Sequence, residues 1–166
     1  MNPHICIEQL EGYVYRMGGV HHTVDDDGST IVIPLPTKHF HITDGECVLP
    51  LRITITDAPC TVVFAVLKVH VQQVPQHRRS ARPLCLGVRK SKAFPCGLRV
   101  VALPRTDDCL YDVCMATPVQ NASLSLLEFG EALGVFRSIV DSWARRRSRN
   151  MSAPPERQSD EPAEGH

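Results

Sequence analysis

Leu126, Phe129, Leu133, Phe136, Val140 and Trp143 recur at spacings of 3, 4, 3, 4 and 3. That rhythm is the apolar stripe of one amphipathic helix. Ser125, with Glu128 three residues on, supplies a capping box at its start. Arg137, Asp141 and Arg145 follow one another at i,i+4 on the polar side, each pair adding roughly 0.2–0.5 kcal/mol. The pattern predicts a helix over Ser123 to Arg147.

A second helix is predicted near the N-terminus. Asn2-Pro3 provides a cap and a first-turn proline. Cys6, Leu10, Tyr13 and Met17 line one face, and Gly18-Gly19 provides the stop. Between the helices the period changes from helical to alternating. Val20 to Val24, Asp26-Asp27-Gly28 and Thr30 to Ile33 read as strand, turn and strand, closed by Pro34 and Pro36. Lys38 to Thr43 is a weaker strand candidate at an edge. Leu51, Ile53 and Ile55 alternate with Arg52, Thr54 and Thr56, the pattern of a half-buried strand. Thr61 to Val71 is apolar at nearly every position and rich in β-branched residues, which places it inside a sheet. Leu98 to Leu103 and Cys109 to Ala116 form a hairpin around the polar loop Pro104 to Asp108. Val74 to Lys92 has few aliphatic residues. Pro75 opens a short helical segment over Gln76 to Ala81 there, and Pro83 prevents a long one.

Strands run together with helices outside them, so the expected class is α+β: an antiparallel sheet flanked by N- and C-terminal helices, with a short middle helical segment. Its single domain covers residues 1–147. From Ser148 the chain offers Met151 as its only large apolar residue and adds Pro154, Pro155 and Pro162, so residues 148–166 read as a disordered polar tail.

Composition narrows the function classes. Lys+Arg 18 balances Asp+Glu 18, which removes the strongly basic signature of a general nucleic-acid coat. Lys68 and His70 interrupt the longest apolar run, which stays short of the roughly 20 residues of a membrane span. The polar start of the chain does not read as a secretory signal. Seven cysteines without a CxxC pair read as reduced thiols, and the expected setting is the cytoplasm.

The order of elements resembles the fold shared by type III secretion chaperones and the YbjN-like sensory-transduction regulators. The residues carrying the resemblance are Val74-Pro75-Gln76-His77-Arg78-Arg79, the strands Leu98 to Leu103 and Cys109 to Ala116, and the Ser123-to-Arg147 helix. It covers about residues 2–147. Pro83 and Pro95 depart from it where the family has a regular middle helix, and the strands between Thr37 and Val71 are longer or more numerous than its pattern. The resemblance implies a protein that binds polypeptides, often as a homodimer, and is not an enzyme.

Other chemistry is thinly represented. His39 and His41 share a face if their segment is a strand, and Cys47, His21, His22 or Cys6 would have to complete a zinc site. No close pair of cysteines supports it. Cys85, Cys96, Cys109 and Cys114 lie near basic residues, a setting that can activate a thiol, but no histidine stands in a fixed relation to any of them, and packed structural cysteines are the expectation. Asp25-Asp26-Asp27 and Asp107-Asp108 read as turn residues. The basic runs His77 to Arg82, Arg89 to Lys92 and Arg145 to Arg149 lack the interleaved aromatics of a base-stacking surface.

The expected function is therefore capture of a polypeptide segment on a sheet edge or apolar groove. Leu133, Phe136, Val140 and Trp143 would form the apolar surface, with Arg78, Arg79, Arg145, Arg146 and Arg147 at its charged rim. No cofactor is expected. A metal- or thiol-dependent enzyme using the His39/His41/Cys47 region, and a small nucleic-acid-associated regulator, are the competing readings.

Overall fold

The structure, a computed structural model, describes residues 5–18, 22–36, 48–57, 60–70, 82–105, 110–119 and 123–152. Helix α1 (Ile7–Arg16) leads into strands β1 (Thr23–Val24), β2 (Thr30–Pro36), β3 (Val48–Asp57), β4 (Cys60–His70), β5 (Leu84–Arg89), β6 (Leu98–Pro104) and β7 (Leu110–Pro118), and helix α2 (Leu126–Ser152) follows. The strands make one seven-stranded sheet in the order β1-β2-β3-β4-β7-β6-β5. Every pairing is antiparallel. The expected α+β class is what the chain adopts.

Register explains which side chains form the core. Ile31, Ile53, Phe64, Met115, Val100 and Gly87 lie opposite one another across successive strands. Because side chains alternate along a strand, this row and those two residues away share one face. Ile33, Leu51, Val62, Val66, Val113 and Ala102 join it, all buried. Both helices lie on this face. The Phe64 ring is 5.7 Å from Phe129 and 6.2 Å from Phe136 of α2, and Phe129 is 5.6 Å from Tyr13 of α1. The Tyr13 hydroxyl donates to the Leu124 carbonyl at 2.6 Å, fastening α1 to the segment that enters α2. Full burial of the three phenylalanine rings is worth about 1.5–3 kcal/mol each.

The opposite face carries the row Val32, Arg52, Ala65, Cys114, Val101 and Cys85. Five of these are half-buried and Cys85 is exposed. Neither helix covers it.

Several local expectations change. Helix α1 begins at Ile7, after Ile5 and an extended Cys6 that makes no side-chain cap. The proline start at Asn2-Pro3 therefore does not set its first turn. Its buried positions are Leu10 and Val14, whereas Cys6 and Met17 are exposed. Pro34 and Pro36 do not close β2, which pairs with β3 through both. The other neighbour, β1, reaches only Ile31 and Val32. The proline nitrogens thus fall where no described strand needs a donor. Strand β5 lies within Val74 to Lys92, where the pattern predicts no strand, and the expected helical segment Gln76 to Ala81 and strand Lys38 to Thr43 lie outside the described residues. Helix α2 continues past Arg147 to Ser152, because Pro154 is the first residue that must break it and cations suit its C-terminal end.

The capping box forms as its sequence requires. The Glu128 N–H donates to Ser125 Oγ at 3.2 Å, and the Ser125 N–H donates to Glu128 Oε2 at 2.8 Å. The Asp25-Asp26-Asp27-Gly28 segment is a turn: Asp25 Oδ1 accepts from the N–H groups of Ser29 and Thr30, and Gly28 adopts φ +71°. The Asp27 carboxylate also accepts from Ser29, and its pKa is lowered first by that residue's side chain.

Candidate functional site

The four apolar residues expected to face a partner are core residues of the chain itself. Leu133 and Val140 are 3% and 2% exposed, Phe136 is fully buried and Trp143 is 6% exposed. The reason is the sheet beneath them: the stripe finds a complementary apolar face in its own chain, with Phe136 over Phe64. These four side chains are therefore not open to a partner in the folded chain.

Among the predicted basic residues, Arg145 is exposed and its Nη2 donates to Asp141 Oδ2 at 2.9 Å. Arg146 and Arg147 belong to α2, with side chains outside the described residues, as are Arg78 and Arg79 altogether. His39, His41 and Cys47 also lie outside them. Among the described residues no cluster of three or more His, Cys, Asp or Glu is arranged to hold a metal. His22 instead meets Glu11, with Nε2 and Oε1 at 2.8 Å. Nearby basic residues do not lower the Cys114 thiol pKa: burial, with a smaller contribution from Asp112, pushes it up. Its environment favours the neutral thiol over a nucleophilic thiolate.

The feature that stands out lies at β5. This strand pairs with β6 on one side, and among the described residues no strand pairs with its other side. An outer strand presents unpaired N–H and C=O groups, a template for another extended chain. Two of its apolar side chains are open to solvent: Leu84 and Val88 are 36% and 44% exposed. A register shift between Cys85 and Gly87 bends the strand.

Helix α2 crosses close above it. A Cβ at Gly87 would lie 3.1 Å from Ile139 Cγ2, so glycine is what lets the helix come this near. Between them runs an open groove of about 420 Å³. Leu86 to Arg89 supply one wall, and Ile139, Ser142 and Arg145 supply the other. Gly87 and Arg89 pair with Val100 and Leu98, both buried on the helix side, so they belong to the helix-side face of β5. Val88 pairs with the exposed Arg99 and belongs to the opposite face.

The segment that forms this edge is one-sided in charge. Residues 82–105 carry Arg82, Arg89, Lys90, Lys92, Arg99 and Arg105 and no Asp or Glu, in a chain of zero net charge. Arg105 is engaged by Asp112 at 3.1 Å, and the rest of the run flanks β5 and its turn into β6. The sequence held that signal in its acid-free run of cations. It did not show the groove, because α2 and β5 come together only through the tertiary fold.

No protein-family model, curated protein or solved structure matches the chain. No described helix is long and apolar enough to cross a membrane.

Proposed function

We propose that this protein is a non-enzymatic polypeptide-binding module, chaperone-like or regulatory, that captures an extended segment along the outer edge of β5. The observation that carries the reading is the outer side of β5, with which no described strand pairs, together with exposed Leu84 and Val88 and a groove roofed by Ile139 of α2. Addition of a strand to such an edge draws affinity from main-chain hydrogen bonds and specificity from pockets for alternate side chains. The resemblance to secretion chaperones and YbjN-like regulators points to the same class of partner and adds a homodimer to the reading. A cytoplasmic setting accords with Cys6, Cys60, Cys85, Cys96 and Cys114, which are free thiols.

The test is amide hydrogen exchange on the full chain against a library of blocked ten-residue peptides. Binding peptides are expected to slow exchange at Leu84 to Arg89 while the already paired amides of β4 and β7 change little. Peptides that bind with no change at β5, or a library with no binder, would remove the edge as the docking surface. Native mass measurement on the same sample reads the dimer.

A further inference from the structure

The chemistry of the captured segment can be taken a step further, on the reading that the β5 edge is the docking surface. From the charges and register around that edge we infer that the segment is an acidic strand, with a carboxylate side chain two residues from an apolar one on the same face.

The spacing comes from β5. Arg89 and Gly87 share the helix-side face and stand two residues apart. An added strand places its own side chains opposite them at the same interval, whether it runs parallel or antiparallel. Arg89 shares the groove lining with Arg145, the other guanidinium there. Two guanidinium groups lining one groove favour a carboxylate side chain on the strand that enters it. The side chain opposite Gly87 meets Leu86 and Ile139, which offer apolar surface and no charge. Lys90 and Lys92 beyond the end of the strand extend the positive field, and residues 82–105 contain no acid to oppose it. Among the described residues, a carboxylate at the rim is Asp141, 2.9 Å from Arg145. That pair is exposed, and an incoming carboxylate competes with it at little cost.

A nucleic-acid backbone would also answer to positive charge. The geometry favours a peptide, because none of the groove-lining residues is aromatic and able to stack a base, whereas the open strand edge provides a row of groups that pair with another main chain.

The experiment uses the full chain and three fluorescent probes in low salt. One is a blocked ten-residue peptide alternating Thr with a second set of positions that includes a Glu followed two residues later by Val. The second replaces that Glu by Lys, and the third is an oligouridylate of matched length. Attraction at two exposed guanidinium groups against repulsion at the same groups gives an expected preference for the Glu peptide of about tenfold. Arg89→Glu combined with Arg145→Glu is expected to invert the preference. Arg89→Gln with Arg145→Gln is expected to abolish it, which keeps the test decisive if the charge-reversed pair folds poorly. Equal binding of the two peptides, each slowing exchange at β5, would overturn the acidic assignment and leave the edge reading intact. Peptides that leave β5 exchange unchanged would overturn the edge reading, and this inference with it. Binding of the oligouridylate alone would assign the cationic edge to nucleic acid. Concentration-dependent protection of β5 without any peptide would assign it to a second copy of the chain.

Discussion

Ile139 of α2 rests on the backbone of β5 at Gly87, where an added Cβ would be 3.1 Å from its Cγ2 and 3.3 Å from its Cγ1 and Cδ1. The contact sets the depth of the groove and ties the long helix to the outermost strand of the sheet. A side chain at residue 87 and the full side chain at residue 139 therefore compete for one volume.

Gly87→Val is expected to destabilise the fold by about 1–3 kcal/mol, the usual cost of overpacking. Ile139→Ala alone should cost about 2 kcal/mol, near the low end for such truncations because Ile139 borders an open groove. Combined, the two changes should cost clearly less than their sum, since the space vacated by one receives the other. Urea midpoints for the four proteins of this cycle supply the check. Strict additivity would mean that the residues do not share that volume.

Phe136 and Trp143 separate core from surface on the same helix. Phe136→Ala and Trp143→Ala should each cost about 3–5 kcal/mol, a large part of the roughly 5–15 kcal/mol available to a domain. Leu127, by contrast, is 85% exposed, and Leu127→Ser should stay within about 0.5 kcal/mol of the parent. Thermal unfolding followed by circular dichroism distinguishes the cases. A Trp143→Ala protein with unchanged midpoint would return that side chain to the list of partner-facing candidates.

These contrasts also show what the pattern of residues could reveal. The α2 stripe was legible because five positions from Phe129 to Trp143 repeat at helical spacing and all are buried. Its role was not, since periodicity identifies an apolar face without saying what covers it. Strands β3, β4, β6 and β7 were legible from alternation or from β-branched runs. Strand β5 escaped because its six residues include Gly87, follow Pro83 and alternate poorly across a register shift. Edge strands bury little, so their residues carry little pattern. The placement of β7 between β4 and β6 was equally hidden: a hairpin signal gives one neighbour of each strand and leaves the second to the tertiary fold. The groove depends on both facts, which is why only its charge could be seen in advance.

Cys114 links the sheet face opposite the helices to pH. Burial raises its thiol pKa, and Asp112 adds to the shift. A raised thiol pKa means that folding favours the protonated form. Its contribution to stability is fully present below the ordinary thiol value of about 8.5 and is lost as pH rises through the folded-state value. Cys114→Ala should therefore flatten the alkaline decline in urea midpoint between about pH 8 and 10 relative to the parent, with the other titrating groups common to both proteins. The same shift should slow alkylation: at about pH 8, iodoacetamide should modify Cys114 more slowly than the exposed Cys6 and Cys96. Peptide mass mapping after timed quenching reads each site separately. Labelling of Cys114 as fast as that of Cys96, together with an unaltered alkaline slope in Cys114→Ala, would show that this side chain is solvated in the folded protein and that the face opposite the helices is more open than the strand packing implies.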